Sequence, residues 1–203
     1  MTFLTKLDVV NDMLALLSEA PLNTLEEDHD LVPSCLAALR NASYREQSKA
    51  WWFNQELVTL SPDAGTGNIM LPSDTIRVDP TNGQLNYVQR GRRLYKAYAL
   101  PSEDRYKFTQ PVAVELVRLI DFEDLPVAAQ LFISASAKLQ FQTNYDGDAS
   151  AIAMLQQEYR DTLITLNGEH IRNRDVNLLN RPSTSYLLGT IGILPNPGGL
   201  PIR

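Results

Sequence analysis

Side chains able to do covalent chemistry are scarce in this chain: one cysteine, Cys35, and two histidines, His29 and His170. A nucleophile needs a base beside it, and the base needs an orienting partner. His29 lies among acids and His170 lies near Arg172, with no His-Glu-x-x-His pattern, no nucleophile elbow and no histidine close to Cys35 in sequence. Cys35 falls on the apolar stripe of a helical pattern, which marks a buried structural thiol. A single cysteine also excludes an internal disulfide framework and every multi-cysteine zinc motif, and it suits a reducing cytoplasm.

The acids offer more candidates. Glu26, Glu27, Asp28 and Asp30 could hold a divalent cation, but a solvated loop placing anions before a helix N-terminus accounts for them at lower cost. Asp146-Gly147-Asp148 fails as a calcium loop, because Gly147 at the sixth position puts Ala153 where a bidentate glutamate is required. For a carboxylate pair of the glycosidase type, Glu56, Asp63, Asp74, Asp79, Glu103, Asp104, Glu115, Asp121, Glu123 and Asp124 are all available. Gly65-Thr66-Gly67 lacks a third glycine and precedes strand-like residues, so it reads as a hairpin tip and not a phosphate cradle. Arg90, Arg92, Arg93 and Lys96, beside Tyr95 and Tyr98, form a basic and aromatic mixture able to grip a phosphate backbone, although a strand edge guarded by charge fits better.

Charge argues the same way. Of 203 residues 18 are Lys or Arg and 24 are Asp or Glu, a net −6 that repels phosphate overall. Hydrophobic residues at 44% suffice for a packed core. The first residues lack a basic region followed by an apolar run, and no apolar stretch approaches the roughly 20 residues of a membrane span, so a soluble protein without a signal peptide is expected.

The elements that must position these groups follow from periodicity. Leu7, Val10, Met13, Leu14 and Leu17 recur at helical spacing over 5–19, with Asp8 in the first turn. A second helix runs from the acidic cluster through Val32, Cys35, Leu36, Leu39 and Ala42 to near Trp51. From Trp51 the pattern changes to short β-type runs around 57–60, 68–71, 75–78, 85–89, 94–98 and 112–119, separated by turn residues, with Asn82-Gly83 the best hairpin signal. Helical spacing returns after Asp124, with Pro126 in a first turn, and a fourth helix follows the break at Tyr145–Asp148, where Gly168 is placed to end or kink it. The expected fold class is α+β: a four-helix bundle built from both chain ends (1–50 and 121–178), an inserted antiparallel β-rich domain (51–120) and an extended C-terminal arm (179–203).

The arm is chemically distinct. Proline and glycine from Pro182 to Pro201 forbid helix or sheet interior, yet the segment is too apolar for a solvated tail. Tyr186, Leu187, Leu188, Ile191, Ile193 and Leu194 are therefore the expected partner-binding residues.

Several ordered strings carry a resemblance. Val10-Asn11-Asp12-Met13-Leu14, then Ser18-Glu19-Ala20-Pro21-Leu22 with Leu25, followed by Trp52-Phe53-Asn54, Arg90-Gly91 with Leu94-Tyr95, and Asp124-Leu125-Pro126, resemble the tail tubular protein A family of short-tailed bacteriophages over roughly residues 7–166. Ser18 stands where the family has glycine and Lys96 where it often has aspartate, which touches local turns and leaves the assignment intact. The resemblance implies a non-enzymatic virion protein, an adaptor ring of twelve copies joining portal to tail nozzle and forming part of the DNA ejection channel. Its implied partners are other copies of itself, the portal protein, the nozzle protein, a tail fibre protein, and genomic DNA passing without specific binding. It implies no cofactor, no metal and no catalytic residue. Assembly in the host cytoplasm and residence in the virion tail are expected. The competing classes are a hydrolase acting on host cell-surface glycans, detectable by activity of the purified protein, and a nucleic-acid-binding module, detectable by salt-sensitive DNA retention.

Overall fold

A computed structural model describes residues 4–81, 87–100 and 102–174. The chain divides into two compact units, 1–166 and 167–203, and of the second the described part is the C-terminal end of a helix.

Helix α1 (Lys6–Leu16) begins at a capping box, in which the Thr5 side chain accepts from the Asp8 N–H and the Asp8 carboxylate accepts from the Thr5 N–H. It ends in a Schellman motif: Ser18 N–H donates to Ala15 C=O and Glu19 N–H to Leu14 C=O, both at 3.0 Å. The helix is shorter than the apolar spacing to Leu17 suggested, because Ser18 turns left-handed at φ 60°. Helix α2 (Val32–Gln47) carries Pro33 in its first turn, where its missing N–H is harmless. Its first turn holds no acid; the 26–30 carboxylates sit in the preceding loop and are exposed. Helix α3 (Val127–Tyr145) follows a 3-10 turn at Phe122–Asp124, with Pro126 as its N-cap. Helix α4 (Ala149–Asn173) is capped by Asp148, which accepts from the Ser150 N–H, and it continues through Gly168 where a break was expected.

All four helices feed one hydrophobic core. Val9, Val10, Met13 and Leu14 of α1, Cys35, Leu39 and Ala42 of α2, Ala129, Phe132, Ile133 and Phe141 of α3, and Leu166 of α4 are buried together. Phe132 sits at its centre, edge-on to Trp51 (6.1 Å between centroids) and tilted against Tyr159 (5.1 Å). Lys138 ties three helices at the rim, 2.6 Å from Glu158 and 3.7 Å from Asp12.

The strands build a second core. β1 (Gln55–Leu60), β5 (Val112–Arg118) and β2 (Thr75–Pro80) form an antiparallel sheet in the order β1-β5-β2, and β3 (Tyr87–Arg90) pairs with β4 (Arg93–Lys96) in an antiparallel hairpin. Val114 and Leu116 of β5, Val78, Leu94, Ile69, Leu71 and Phe108 pack together. Pro80 closes β2, an edge of its sheet, where a missing donor costs nothing in the ladder. The mixture of helices with antiparallel sheets makes the protein α+β.

Two expectations about the β region change, and a third falls outside the described residues. Residues 68–71 form isolated bridges, Asn68 with Lys107 and Met70 with Arg93, and not a strand. Gly65-Thr66-Gly67 is therefore the tip of a loop and not of a hairpin, since β1 pairs with distant β5; Asp63 organises it by accepting from the Gly65 and Thr66 N–H groups. The Asn82-Gly83 signal lies outside the described residues, and the β3–β4 hairpin turns at Gly91-Arg92, with Gly91 at φ 60°. Glycine leading a two-residue loop matches strand twist, which explains the Arg90-Gly91 string.

Candidate functional site

The expected partner-binding residues Tyr186, Leu187, Leu188, Ile191, Ile193 and Leu194 lie outside the described residues. The described residues instead present one polar joint, one buried charge cluster and one basic face.

The joint lies where α2 gives way to the sheet. Asn54 is 1% exposed; its Oδ1 accepts from the Trp51 N–H (2.8 Å), and its Nδ2 donates to Gln47 C=O and Arg118 C=O (2.9 Å each). The buried Gln47 side chain makes the matching pair with Ile120, donating to its C=O at 2.9 Å and accepting from its N–H at 2.8 Å. Arg118, the last residue of β5, reaches Glu56 at 2.7 Å and Asp74 at 2.6 Å. Trp52-Phe53-Asn54 is thus a structural string: its asparagine stitches the end of α2 to the end of β5. Sequence reasoning missed Gln47 and Arg118 as members, since nothing local distinguishes them from surface residues.

Glu46 carries the buried charge. Its side chain is 1% exposed and contacts Lys49 Nζ at 2.5 Å, Arg45 Nε at 3.0 Å and Ser136 Oγ at 2.7 Å. Burial pushes its carboxyl up, but the hydrogen bonds from Lys49, Ser136 and Arg45 outweigh that and hold it below the usual range. A cavity of about 340 Å³ opens beside it, lined also by Gln140 and Tyr159. An ionised carboxylate locked by two cations serves structure and is a poor proton donor.

Three of the carboxylates weighed for glycoside cleavage fare similarly. Retaining and inverting mechanisms both need an acid whose proton is held to neutral pH. The Arg118 hydrogen bond holds Asp74 below the ordinary value, Lys6 does the same to Asp121, and the Thr66 N–H and hydroxyl do so for Asp63. Among the described residues no group of three His, Cys, Asp or Glu is placed to hold a metal, and no helix is long and apolar enough to cross a membrane. Cys35 is fully buried, and burial pushes its thiol up to about 11. His29 accepts the Leu31 N–H at Nδ1 and stands 3.9 Å from Glu19, while burial and then Arg174 lower His170.

The basic face is the β3–β4 hairpin. Arg90 lies 3.7 Å over the Tyr95 ring and Arg93 lies 4.3 Å over Tyr106, with the two tyrosines edge-on at 5.1 Å. Arg105 donates to the Tyr95 hydroxyl at 2.8 Å, and Lys96 sits 5.1 Å over Phe108. The sequence placed Arg90, Arg92, Arg93 and Lys96 together correctly, but it missed Arg105, Tyr106 and Phe108, whose alternating cation and ring pattern was the available signal. The edge-guard explanation does not hold for β4, while β3 remains an edge of its two-stranded sheet. The far side of β4 is already occupied, since Leu94 N–H donates to Ile69 C=O, Leu71 N–H to Arg92 C=O and Lys96 N–H to Arg105 C=O.

Two comparisons bear on what such a molecule is. Residues 7–176 match the family model described as tail tubular protein. Tail tubular protein A of Klebsiella phage KP34 is 30% identical over 172 residues, covering 83% of this chain and 88% of that protein. The matched span takes in both hydrophobic cores, the joint and the basic hairpin, and the chain belongs to the tail tubular protein family, a structural component of the bacteriophage tail.

Proposed function

We propose that the protein is the subunit of a tail adaptor ring that joins the portal to the tail nozzle and forms part of the channel through which DNA is ejected. The observation that carries this reading is the family match over 7–176, which spans nearly everything the structure describes. On it we build three finer statements. The four helices act as a bundle assembled from residues 1–50 and 121–178, carrying 51–120 as a β-rich insertion. The arm 179–203 docks through Tyr186, Leu187, Leu188, Ile191, Ile193 and Leu194 on the portal or on a neighbouring copy. Genomic DNA passes a body of negative net charge without sequence contacts.

A glycan hydrolase is the disfavoured alternative, because the shifted carboxylates in the described β region and its border are held ionised and not protonated. The test is capture: purified protein mixed with the portal of the same phage is expected to co-migrate as one large assembly. Failure to bind portal, together with release of sugar from host polysaccharide, would overturn the reading.

A further inference from the structure

We propose that the β3–β4 hairpin, with the adjoining segment 105–107, docks on the acidic α1–α2 loop of a second copy of this chain, in a head-to-tail contact. The inference rests on the ring reading and specifies which surfaces make the ring.

Six cations fall within residues 87–107 (Arg90, Arg92, Arg93, Lys96, Arg105 and Lys107) against two acids, Glu103 and Asp104. That window carries +4, so the rest of a −6 chain carries −10. Elsewhere six cations, Lys6, Arg45, Lys49, Arg77, Arg118 and Lys138, each stand within 4.0 Å of a carboxylate. None of the six hairpin cations has such a partner among the described residues. Arg90 and Arg93 lie over rings, which hold a guanidinium in place while leaving its N–H edges unspent, Lys96 lies over Phe108, and Arg92 and Lys107 stand exposed beside them. Rigid cations with open donors are preorganised for an external anion, since little side-chain freedom remains to be lost on binding. Tyr98 and Leu100, 84% and 65% exposed just beyond β4, add the apolar contact that an interface core needs.

The anion is identified by complementarity within the chain. Glu26, Glu27, Asp28 and Asp30 are four exposed carboxylates within five residues, and none of them forms an ion pair among the described residues. Glu27 spends one oxygen on the Asn23 and Thr24 N–H groups, which fixes the loop and leaves its charge. No ion pair joins the two patches among the described residues, so satisfying one leaves the other open for the next copy. This is the heterologous contact from which rings are built. A phosphate backbone is the competing anion, and the −10 remainder of the chain opposes it.

Sedimentation of the full chain over rising concentration, at about 0.05 M and about 0.5 M salt, reads the contact directly. Arg92→Glu with Lys107→Glu is expected to weaken self-association at low salt by about tenfold or more, and Glu26→Lys with Asp28→Lys likewise. The chain carrying all four reversals is expected to recover to within about threefold of the unaltered protein. Arg92 and Lys107 are exposed, and thermal melting checks folding; if the glutamate pair melts early, Arg92→Gln with Lys107→Gln reads the same loss at smaller amplitude. Self-association that ignores hairpin reversal, or that the four reversals fail to restore, overturns the contact while a ring on portal still stands. Loss of duplex DNA retention with association unchanged assigns the face to nucleic acid and overturns it too. An unaltered protein that neither self-associates nor joins portal overturns the ring reading as well.

Discussion

At the scale of single residues, stability concentrates in buried polar groups that bind helix to sheet. Asn54→Ala strips Trp51 N–H, Gln47 C=O and Arg118 C=O of one partner each in a dry environment. Burying polar groups without partners costs about 1–3 kcal/mol each, partly relieved by relaxation, so the variant is expected to lose about 2–4 kcal/mol in denaturant unfolding. Glu46→Gln is expected to cost about 1–3 kcal/mol at pH 7, because Lys49 and Arg45 are half-exposed and recover water. The sign of its pH dependence is fixed. Glu46 has a lowered carboxyl, so it contributes stability fully present above its unfolded value and lost as pH falls through the folded one. The difference between the two proteins should therefore shrink between about pH 4.5 and the lower folded value. A gap that stays constant or widens on acidification would contradict the ion-pair account.

Among the elements, positive-φ positions decide how loops close. Ser18 occupies the left-handed position of the α1 Schellman motif at φ 60°, where a Cβ costs roughly 1 kcal/mol. Ser18→Gly is expected to raise the melting temperature by a few degrees, and Gly91→Ala, at φ 60° in the β3–β4 turn with open space around it, to lower it by a similar amount. Thermal melts of the two variants moving the same way would contradict this. These positions also show how legible the elements were. The glycine expected at Ser18 by family resemblance is what the observed backbone asks for. All four helices were readable because apolar spacing and local caps, Thr5 with Asp8 and Pro126, agree with burial. Residues 68–71 read as a strand but form only isolated bridges to Lys107 and Arg93, a tertiary pairing that no local pattern announces. The basic face was half legible for the same reason: Arg105 and Tyr106 join it through tertiary pairing.

The whole molecule is an acidic body with one basic hairpin and an apolar C-terminal sequence, a combination that fits a part made to be joined. If the arm serves docking and not folding, truncation after Asn180 should leave a folded protein that no longer binds portal. A truncated chain that unfolds would place those residues in the core instead. The central claim is that this tail tubular protein works as a closed ring. Native mass spectrometry of the protein, alone and on its portal, tests it most directly. The account predicts an assembly of about twelve copies of the 22.7 kDa chain; a chain that remains a 22.7 kDa monomer in both settings would contradict it.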